Sequence, residues 1–213
     1  MEKCIEEIEN QLIERYPSLS FIENEIKEAY ELMIECFANG HKLLIAGNGG
    51  SAADADHIVG ELMKGFVKKR PISDDLRENL CNLDCIQGEK ISKQLQQGLP
   101  AIALHNHQAL NTAVLNDIDG TVMFAQQVCG YGQQGDIFLG ISTSGNSVDV
   151  YNAALVAKAK KMKVIGLLGK DGGKIKDISD VSIVVPEMET YRIQELHLPI
   201  YHALCLMLEK KFF

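Results

Sequence analysis

The sequence lacks several features that would place it in a specialised class of protein. No apolar run reaches the roughly 18 residues of a membrane helix, so we expect no membrane partner. Acidic residues outnumber basic ones by 29 to 21, and a net charge of −8 argues against a nucleic-acid partner, which needs a basic stripe. We also find no internal repeat and no low-complexity tract. The remaining candidates are globular proteins, including those that bind small anions through local backbone dipoles.

Cysteine usage excludes a further class. The six cysteines have no regular spacing, and no second pair accompanies Cys81 and Cys85 to complete a four-thiolate zinc site. Free thiols are the expectation for a reducing compartment. The first residues, Met-Glu-Lys-Cys-Ile-Glu-Glu, are acidic and do not resemble a secretory signal. We therefore expect a cytoplasmic protein.

The chain alternates short apolar runs with segments of helical periodicity. This alternation predicts one α/β domain, 1–213, with a parallel, doubly wound sheet covered by helices on both faces. Residues 1–40 predict two helices broken near Pro17, and the polar stretch 68–98 predicts one helix over 92–97. The other predicted elements are strands 42–46, 101–104, 136–141, 163–168 and 181–185 and helices 51–66, 110–116, 123–131, 148–161 and 192–211.

Four hydroxyl side chains are concentrated directly after the predicted strand 136–141. The loop reads Ser142-Thr143-Ser144-Gly145-Asn146-Ser147 and leads into a predicted helix. Hydroxyls and the free N–H groups of a helix start donate to anions, with help from the helix dipole. A simpler interpretation has Ser147 only capping the helix, but one cap accounts for one serine. The loop therefore predicts a phosphate site.

A second loop, Gly47-Asn48-Gly49-Gly50-Ser51, follows the predicted strand 42–46. Its glycines allow the backbone to approach a ligand closely, and parallel strands end at the same edge of a sheet, so both loops are expected there. The loop matches neither the G-x-G-x-x-G nor the G-x-x-x-x-G-K-S/T pattern. Taken alone, a glycine-rich turn after a strand is more often just a turn.

Two helices carry polar residues at suggestive spacings. His57 and Glu61 are four apart, on one helix face, where they hold a metal ion or simply contact each other. Gln194 and His202 are eight apart, within about 80° of each other around the axis. His197, considered alone, is expected in a solvated polar stripe.

These residues together resemble one known family. The chain is similar to the SIS (sugar isomerase) domain proteins, and within them to the phosphoheptose isomerases. The resemblance covers nearly the whole chain, in the stretches Gly47–Glu61 (GNGGSAADADHIVGE), Asn116-Asp117, Gly140–Ser147 (GISTSGNS), Lys170–Lys174 (KDGGK) and Arg192–His202 (RIQELHLPIYH).

The resemblance implies a fold and an activity. The fold would be a five-stranded, Rossmann-like parallel sheet between helices, with N-terminal helices that build a homotetramer and sites at the subunit interfaces. The activity would be aldose–ketose isomerisation of sedoheptulose 7-phosphate to D-glycero-D-manno-heptose 7-phosphate, in heptose biosynthesis. The reaction passes through an enediol and needs a base, an acid and a group that polarises the carbonyl.

The resemblance also assigns roles by position. Glu61 and His202 would be the acid/base pair, and one zinc ion per subunit would be bound by His57, Glu61, Gln194 and His202. Substrate-binding positions would be Asn48, Gly49, Gly50, Ser51, Glu61, Asn116, Asp117, Ser142, Thr143, Ser144, Ser147 and Gln194.

Three departures from the family pattern concern the sugar pocket. Residues 72–98 are an insertion where family members run directly into the next strand. Gly65 stands where the family often has a basic residue, and Lys64 and Lys68 are the candidates to substitute for it. His105 and His107 follow the strand 101–104, where they lie near the ligand edge or in a solvent-facing loop.

An alternative function therefore stays open. The chain would then be a non-catalytic SIS protein that binds a phosphosugar or a replication initiator, or an isomerase of another sugar phosphate. The joint presence of an acid, a base and metal ligands favours the enzyme, because a binding scaffold needs none of them.

Overall fold

The computed structural model describes residues 2–213, with side chains from Ile5 onward. Five parallel strands form one sheet in the order β2-β1-β3-β4-β5. They are β1 Leu43–Ala46, β2 Ala101–Ala103, β3 Ile137–Ser142, β4 Lys163–Leu168 and β5 Val181–Val184. The predicted five-stranded, doubly wound parallel sheet is confirmed.

Ten α-helices surround the sheet in the described part of the chain: α1 Glu2–Arg15, α2 Glu23–Ala38, α3 Gly50–Met63, α4 Asp74–Leu83, α5 Cys85–Ser92, α6 Gln108–Asp117, α7 Met123–Tyr131, α8 Val148–Ala159, α9 Gly173–Ile178 and α10 Thr190–Phe212. A 3-10 helix, Pro17–Ile22, separates α1 from α2, as the break near Pro17 predicted. The short helix α9 was not predicted. No described helix is both long and apolar enough to cross a bilayer.

Alternating side chains of the strands divide the core into two layers. Leu43 and Ile45 of β1 pack with residues of α2, α3 and α10 on one face of the sheet. Leu44 and Ala46 point to the other face, where residues of α7, α8 and α9 cover them. Side chains alternate across a strand, and both faces are buried, which explains why the strands are continuous apolar runs.

The polar stretch forms a helical hairpin of α4 and α5. The predicted helix over 92–97 is wrong, because α5 ends at Ser92 and Gln96 instead makes an antiparallel bridge to Pro71. None of the side chains of α4 is buried. The hairpin leaves the core after α3 and returns beside it, where the Leu99 N–H donates to the Leu62 carbonyl at 2.9 Å.

Candidate active site

The point where the strand order reverses lies between β1 and β3. The chain continues from β1 to β2 on one side, whereas β3, β4 and β5 follow on the other. In open α/β sheets, ligands bind at the carboxyl ends of the strands at such a point. The loops after β1 and β3 meet there, since the Asn48 amide donates to both carboxylate oxygens of Asp149, at 3.0 and 2.9 Å.

The hydroxyl loop after β3 keeps hydrogen-bond donors available to an anion from outside the chain. Ser147 occupies the N-cap position of α8 but makes no capping hydrogen bond. Its hydroxyl lies 2.9 Å from that of Ser142, and the Ser144 hydroxyl accepts the Asn146 N–H at 3.2 Å. The interpretation of Ser147 as a simple cap is therefore wrong, and the first turn of α8 keeps N–H groups available to an anion.

A close backbone contact fixes the shape of this loop. Gly145 has a φ of 65°, and a Cβ there would lie 1.8 Å from the Gly172 carbonyl oxygen. The Gly145 carbonyl accepts the Ile175 N–H of α9 at 3.0 Å. The Lys170–Lys174 stretch therefore supports the hydroxyl loop from behind.

The glycine loop after β1 places Gln194 of α10 against the start of α3. A Cβ on Gly50 would lie 2.5 Å from the amide nitrogen of Gln194, so a larger residue at position 50 would displace the Gln194 amide. Gly49 has a φ of 56°, in the left-handed region that favours glycine, and Ser51 is buried. The candidate substrate residues of this loop and Gln194 are therefore neighbours.

The proposed acid and base meet one helical turn from the end of α3. Nε2 of His57 lies 3.3 Å from Oε1 of Glu61 and 3.4 Å from Nε2 of His202, which α10 supplies. Burial, followed by the charge of His57, lowers the pKa of His202, so its imidazole is neutral at pH 7. The second carboxylate oxygen of Glu61 is buried without a hydrogen-bond partner. The Glu61 carboxylate can therefore accept a proton or bind a cation.

Two residues that the sequence analysis missed hold this cluster from behind. The Tyr201 hydroxyl lies 3.0 Å from Nδ1 of His57 and donates to Asp54 at 3.3 Å. Burial, outweighing the Tyr201 hydrogen bond, raises the pKa of Asp54. A signal was available for Asp54, because its spacing to His57 and Glu61 places all three on one face of α3.

The donor set is chemically suited to zinc but is not assembled around one point. Zn–N bonds of about 2.0–2.1 Å in a tetrahedron place neighbouring donors about 3.3–3.4 Å apart, which matches the two distances from His57. Still, no group of three or more His, Cys, Asp or Glu side chains in residues 5–213 is arranged to hold a metal ion as it stands. Gln194 lies against Gly50, about 10 Å along α3 from His57 at 1.5 Å per residue.

Within one chain, the acid/base cluster of His57, Glu61 and His202 lies apart from the hydroxyl loop, residues 142–147. The end of α3 lies beside Leu99, just before β2 begins, so Glu61 is near the amino edge of the sheet. The hydroxyl loop lies at the carboxyl edge, and β1 alone spans about 13 Å at roughly 3.3 Å per residue. A seven-carbon sugar phosphate is only about 10 Å long at roughly 1.5 Å per carbon–carbon bond.

Other predicted site residues lie apart from both groups. Asn116 and Asp117 end α6, are exposed, and hydrogen-bond to each other at 2.7 Å. His105 pairs with Asp56 of α3 at 2.9 Å, which ties the loop after β2 to that helix. His107 is exposed beside the Tyr131 ring.

His197 does not lie in a solvated stripe, so that expectation is wrong. The imidazole is fully buried, and Nε2 lies 3.2 Å from the Leu168 carbonyl at the end of β4. Burial lowers its pKa to about 4, whereas the hydrogen bond to Leu168 acts in the opposite direction. His197 is therefore a neutral core residue that joins α10 to the sheet.

A buried ion pair fastens the end of α3 to α10. Nε of Arg70 donates to Glu209 at 2.9 Å, and its two terminal nitrogens donate to the carbonyls of Leu62 and Glu61 at 2.8 and 3.0 Å. Both side chains of the pair are fully buried. Glu209 also accepts the N–H groups of residues 66, 67 and 68. This clamp fixes the helix end that carries Glu61 relative to the helix that carries His202.

The residues after Glu61 explain one departure from the family pattern. A Cβ on Gly65 would lie 2.1 Å from the Lys68 carbonyl oxygen, so a basic side chain cannot stand there without a change of backbone. Nζ of Lys64 lies 3.7 Å from the Glu61 carboxylate. Of the two suggested substitutes, Lys64 is therefore placed next to the Glu61 carboxylate.

Comparisons with known proteins place the chain among phosphosugar proteins. The SIS domain family model matches residues 12–79 and 90–169, and the unmatched stretch lies inside the α4–α5 hairpin. The phosphoheptose isomerase of Nitratiruptor is 40% identical over 212 residues, covering 98% of this chain and all of that protein. The phosphoheptose isomerase of Geotalea daltonii is also 40% identical, over 98% of this chain and 97% of that protein.

Solved structures agree with the sequence matches. A phosphoheptose isomerase from Francisella tularensis superposes with a TM-score of 0.76 at 30% identity, covering 98% of this chain and 97% of that one. The phosphoheptose isomerase from Neisseria gonorrhoeae gives a TM-score of 0.74 at 33% identity, with 94% of each chain covered. The chain therefore belongs to the SIS domain family, among the phosphoheptose isomerases.

Proposed function

We propose that this protein is an isomerase that converts sedoheptulose 7-phosphate to D-glycero-D-manno-heptose 7-phosphate. The observation that carries the proposal is the meeting of Glu61 and His202 beside Nε2 of His57, within 3.4 Å. The hydroxyl loop supplies the matching phosphate site. The full-length relatives that carry the name phosphoheptose isomerase support the seven-carbon sugar.

The reaction requires two coupled proton movements. One proton passes from C1 to C2 of the sugar, and another from the O1 hydroxyl to O2, through an enediol. Glu61 acts on the carbon-bound proton, since it is a carboxylate whose Oε2 accepts no hydrogen bond and lies 3.7 Å from Nζ of Lys64. His202 is neutral at pH 7 and moves protons between the two sugar oxygens. Ser142, Thr143, Ser144 and Ser147 hold the phosphate with the first turn of α8.

We also propose one zinc ion per subunit, bound by His57, Glu61, His202 and Gln194. When bound, zinc supplies a Lewis acid for the charge that develops on the sugar oxygens. The donor spacing around His57 supports three of these ligands, and Gln194 has to turn away from Gly50 to become the fourth.

The separation of the acid/base cluster from the hydroxyl loop within one chain supports an oligomer in which each active site is shared between two protomers. The acid/base cluster of one protomer would face the hydroxyl loop of another, within the homotetramer that the family resemblance implies.

We place the enzyme in the cytoplasm, because the five cysteines with described side chains are all free thiols, as in a reducing compartment.

Mixing two inactive variants tests this sharing. Glu61→Gln removes the base, and Thr143→Asp places a negative charge in the phosphate site, so each alone should be inactive. Mixed oligomers should recover activity in about a quarter of their sites, by random assortment of the two chains. Lack of recovery despite demonstrated mixing would refute a site shared between protomers.

A further inference from the structure

Tyr201 is a buried tyrosine that the proposed reaction does not use. It is 2% exposed and directly precedes His202 on α10. Its hydroxyl bridges Asp54 and Nδ1 of His57, at 3.3 and 3.0 Å. The chain of contacts therefore runs from Asp54 through Tyr201 to His57, and ends at Glu61 and His202.

The direction of each hydrogen bond follows from the donor inventory. An ionised carboxylate only accepts, so the contact with Asp54 requires the Tyr201 O–H to donate to it. A phenol has a single hydrogen, so the Tyr201 hydroxyl that donates to Asp54 has none left to donate to His57. The Tyr201 oxygen is then an acceptor towards His57, and the hydrogen of neutral His57 must lie on Nδ1.

This assignment decides which nitrogen of His57 is free. We propose that Tyr201 is a positioning residue that holds His57 in its Nδ1–H tautomer, so that the Nε2 lone pair faces Glu61 and His202. The inference rests on the proposed function for its effect on catalysis, but not for the hydrogen-bond assignment itself. Partners behind a histidine ligand often fix its tautomer in this way.

The cluster itself explains why the tautomer matters. Nε2 of His57 lies 3.3 Å from a carboxylate oxygen, and a hydrogen on Nε2 would be held by Glu61 in an ordinary charge-assisted pair. That pair would occupy both the base and a candidate zinc ligand. With the hydrogen on Nδ1, both atoms keep their lone pairs for substrate or metal.

The direct test reads the tautomer in metal-free, full-length protein. Long-range proton–nitrogen correlation spectra of ¹⁵N-histidine-labelled protein, recorded well above the usual histidine pKa of about 6.5, separate the two neutral forms. His57→Gln assigns the signals. We expect the Nδ1–H form of His57 in the parent and a redistribution towards Nε2–H in Tyr201→Phe and Asp54→Asn.

A matched control separates positioning from general destabilisation. Tyr30→Phe removes the hydroxyl of another buried tyrosine, which is 3.5 Å from the Met207 carbonyl. It should leave the His57 tautomer unchanged. Nε2–H as the main form in the parent, or an unchanged tautomer in folded Tyr201→Phe, would overturn the proposal.

Two further measurements separate this inference from the proposed function. Tyr201→Phe should weaken zinc binding, followed with a competing chelator, by about 10- to 100-fold. It should lower kcat with little change in KM, because Tyr201 is placed behind His57 rather than against the sugar. A parent without isomerase activity would refute the proposed function, whereas the tautomer spectra still decide the role of Tyr201.

Discussion

Replacing Arg70 by methionine tests whether the buried clamp stabilises the protein as its geometry indicates. The substitution keeps much of the apolar volume but removes the charge and all three donor groups. Glu209 would stay buried with its three backbone N–H partners but without its counter-charge. Removing one partner of a buried ion pair costs about 3–5 kcal/mol. That is a large share of the roughly 5–15 kcal/mol by which domains are stable.

Arg77→Met is a control with the same change of residue. Arg77 pairs with Glu89 at 3.3 Å in the α4–α5 hairpin, and the arginine side chain is 53% exposed. Exposed pairs contribute about 0–1 kcal/mol, because water screens both charges. The contrast between the two variants therefore isolates the effect of burial.

Urea unfolding followed by circular dichroism gives the free energy of unfolding of both variants. We expect Arg70→Met to lose at least about 2 kcal/mol more than Arg77→Met does, the smallest difference between losses of about 3–5 and about 0–1 kcal/mol. In conditions where it stays folded, Arg70→Met should also lose activity, since the carbonyls of Glu61 and Leu62 lose a donor. Equal losses in the two variants would show that the clamp contributes nothing beyond a surface pair.

Three further predictions concern the hydroxyl loop and the core. Ser147→Ala should weaken the binding of inorganic phosphate, which calorimetry measures. It should lower the free energy of unfolding in urea by less than the roughly 1 kcal/mol that a lost helix cap costs. A loss of the full capping energy would contradict this prediction. Gly145→Ala should lower the free energy of unfolding in urea by more than about 1 kcal/mol, because residue 145 has a positive φ and the new Cβ meets the Gly172 carbonyl. An unchanged free energy of unfolding would contradict this prediction. The His197 pKa of about 4 is below the unfolded value of 6.5, so His197 stabilises the fold above pH 6.5 and loses that contribution as the pH falls to about 4. The loss is about 2 kcal/mol by pH 5 at 1.36 kcal/mol per unit, and His197→Gln should lack it.

The sequence was sufficient to predict the sheet and the loops at its carboxyl edge. The strands are short apolar runs, and β1, β3 and β4 are followed directly by glycine or hydroxyl residues, so these patterns are local. The helices of the insertion also had a local signal that was overlooked. Ser73 precedes two acidic residues and caps α4, and the leucines of α4 recur three and four residues apart.

The contacts that organise the site were beyond the reach of sequence patterns. Asn48 and Asp149 are 101 residues apart, and Arg70 and Glu209 are 139 apart, so neither pairing has a periodic signature. The resemblance supplied Glu61 and His202, but the separation of this pair from the hydroxyl loop depends on the direction of α3 beneath the sheet. His197 was misjudged because it was grouped with the polar residues Gln194 and His202 of the same helix, while its neighbours in space are the sheet core.

Incubation with sedoheptulose 7-phosphate, followed by ¹³C NMR of the C1 and C2 carbons, is the most direct measurement on the central claim. The reaction should be run with and without added zinc, and beside the Glu61→Gln variant. We predict an aldose signal from the parent protein and none from Glu61→Gln, although both are protected against thermal unfolding by the sugar phosphate. Thermal protection without any aldose from the parent, or full turnover by Glu61→Gln, would contradict the account.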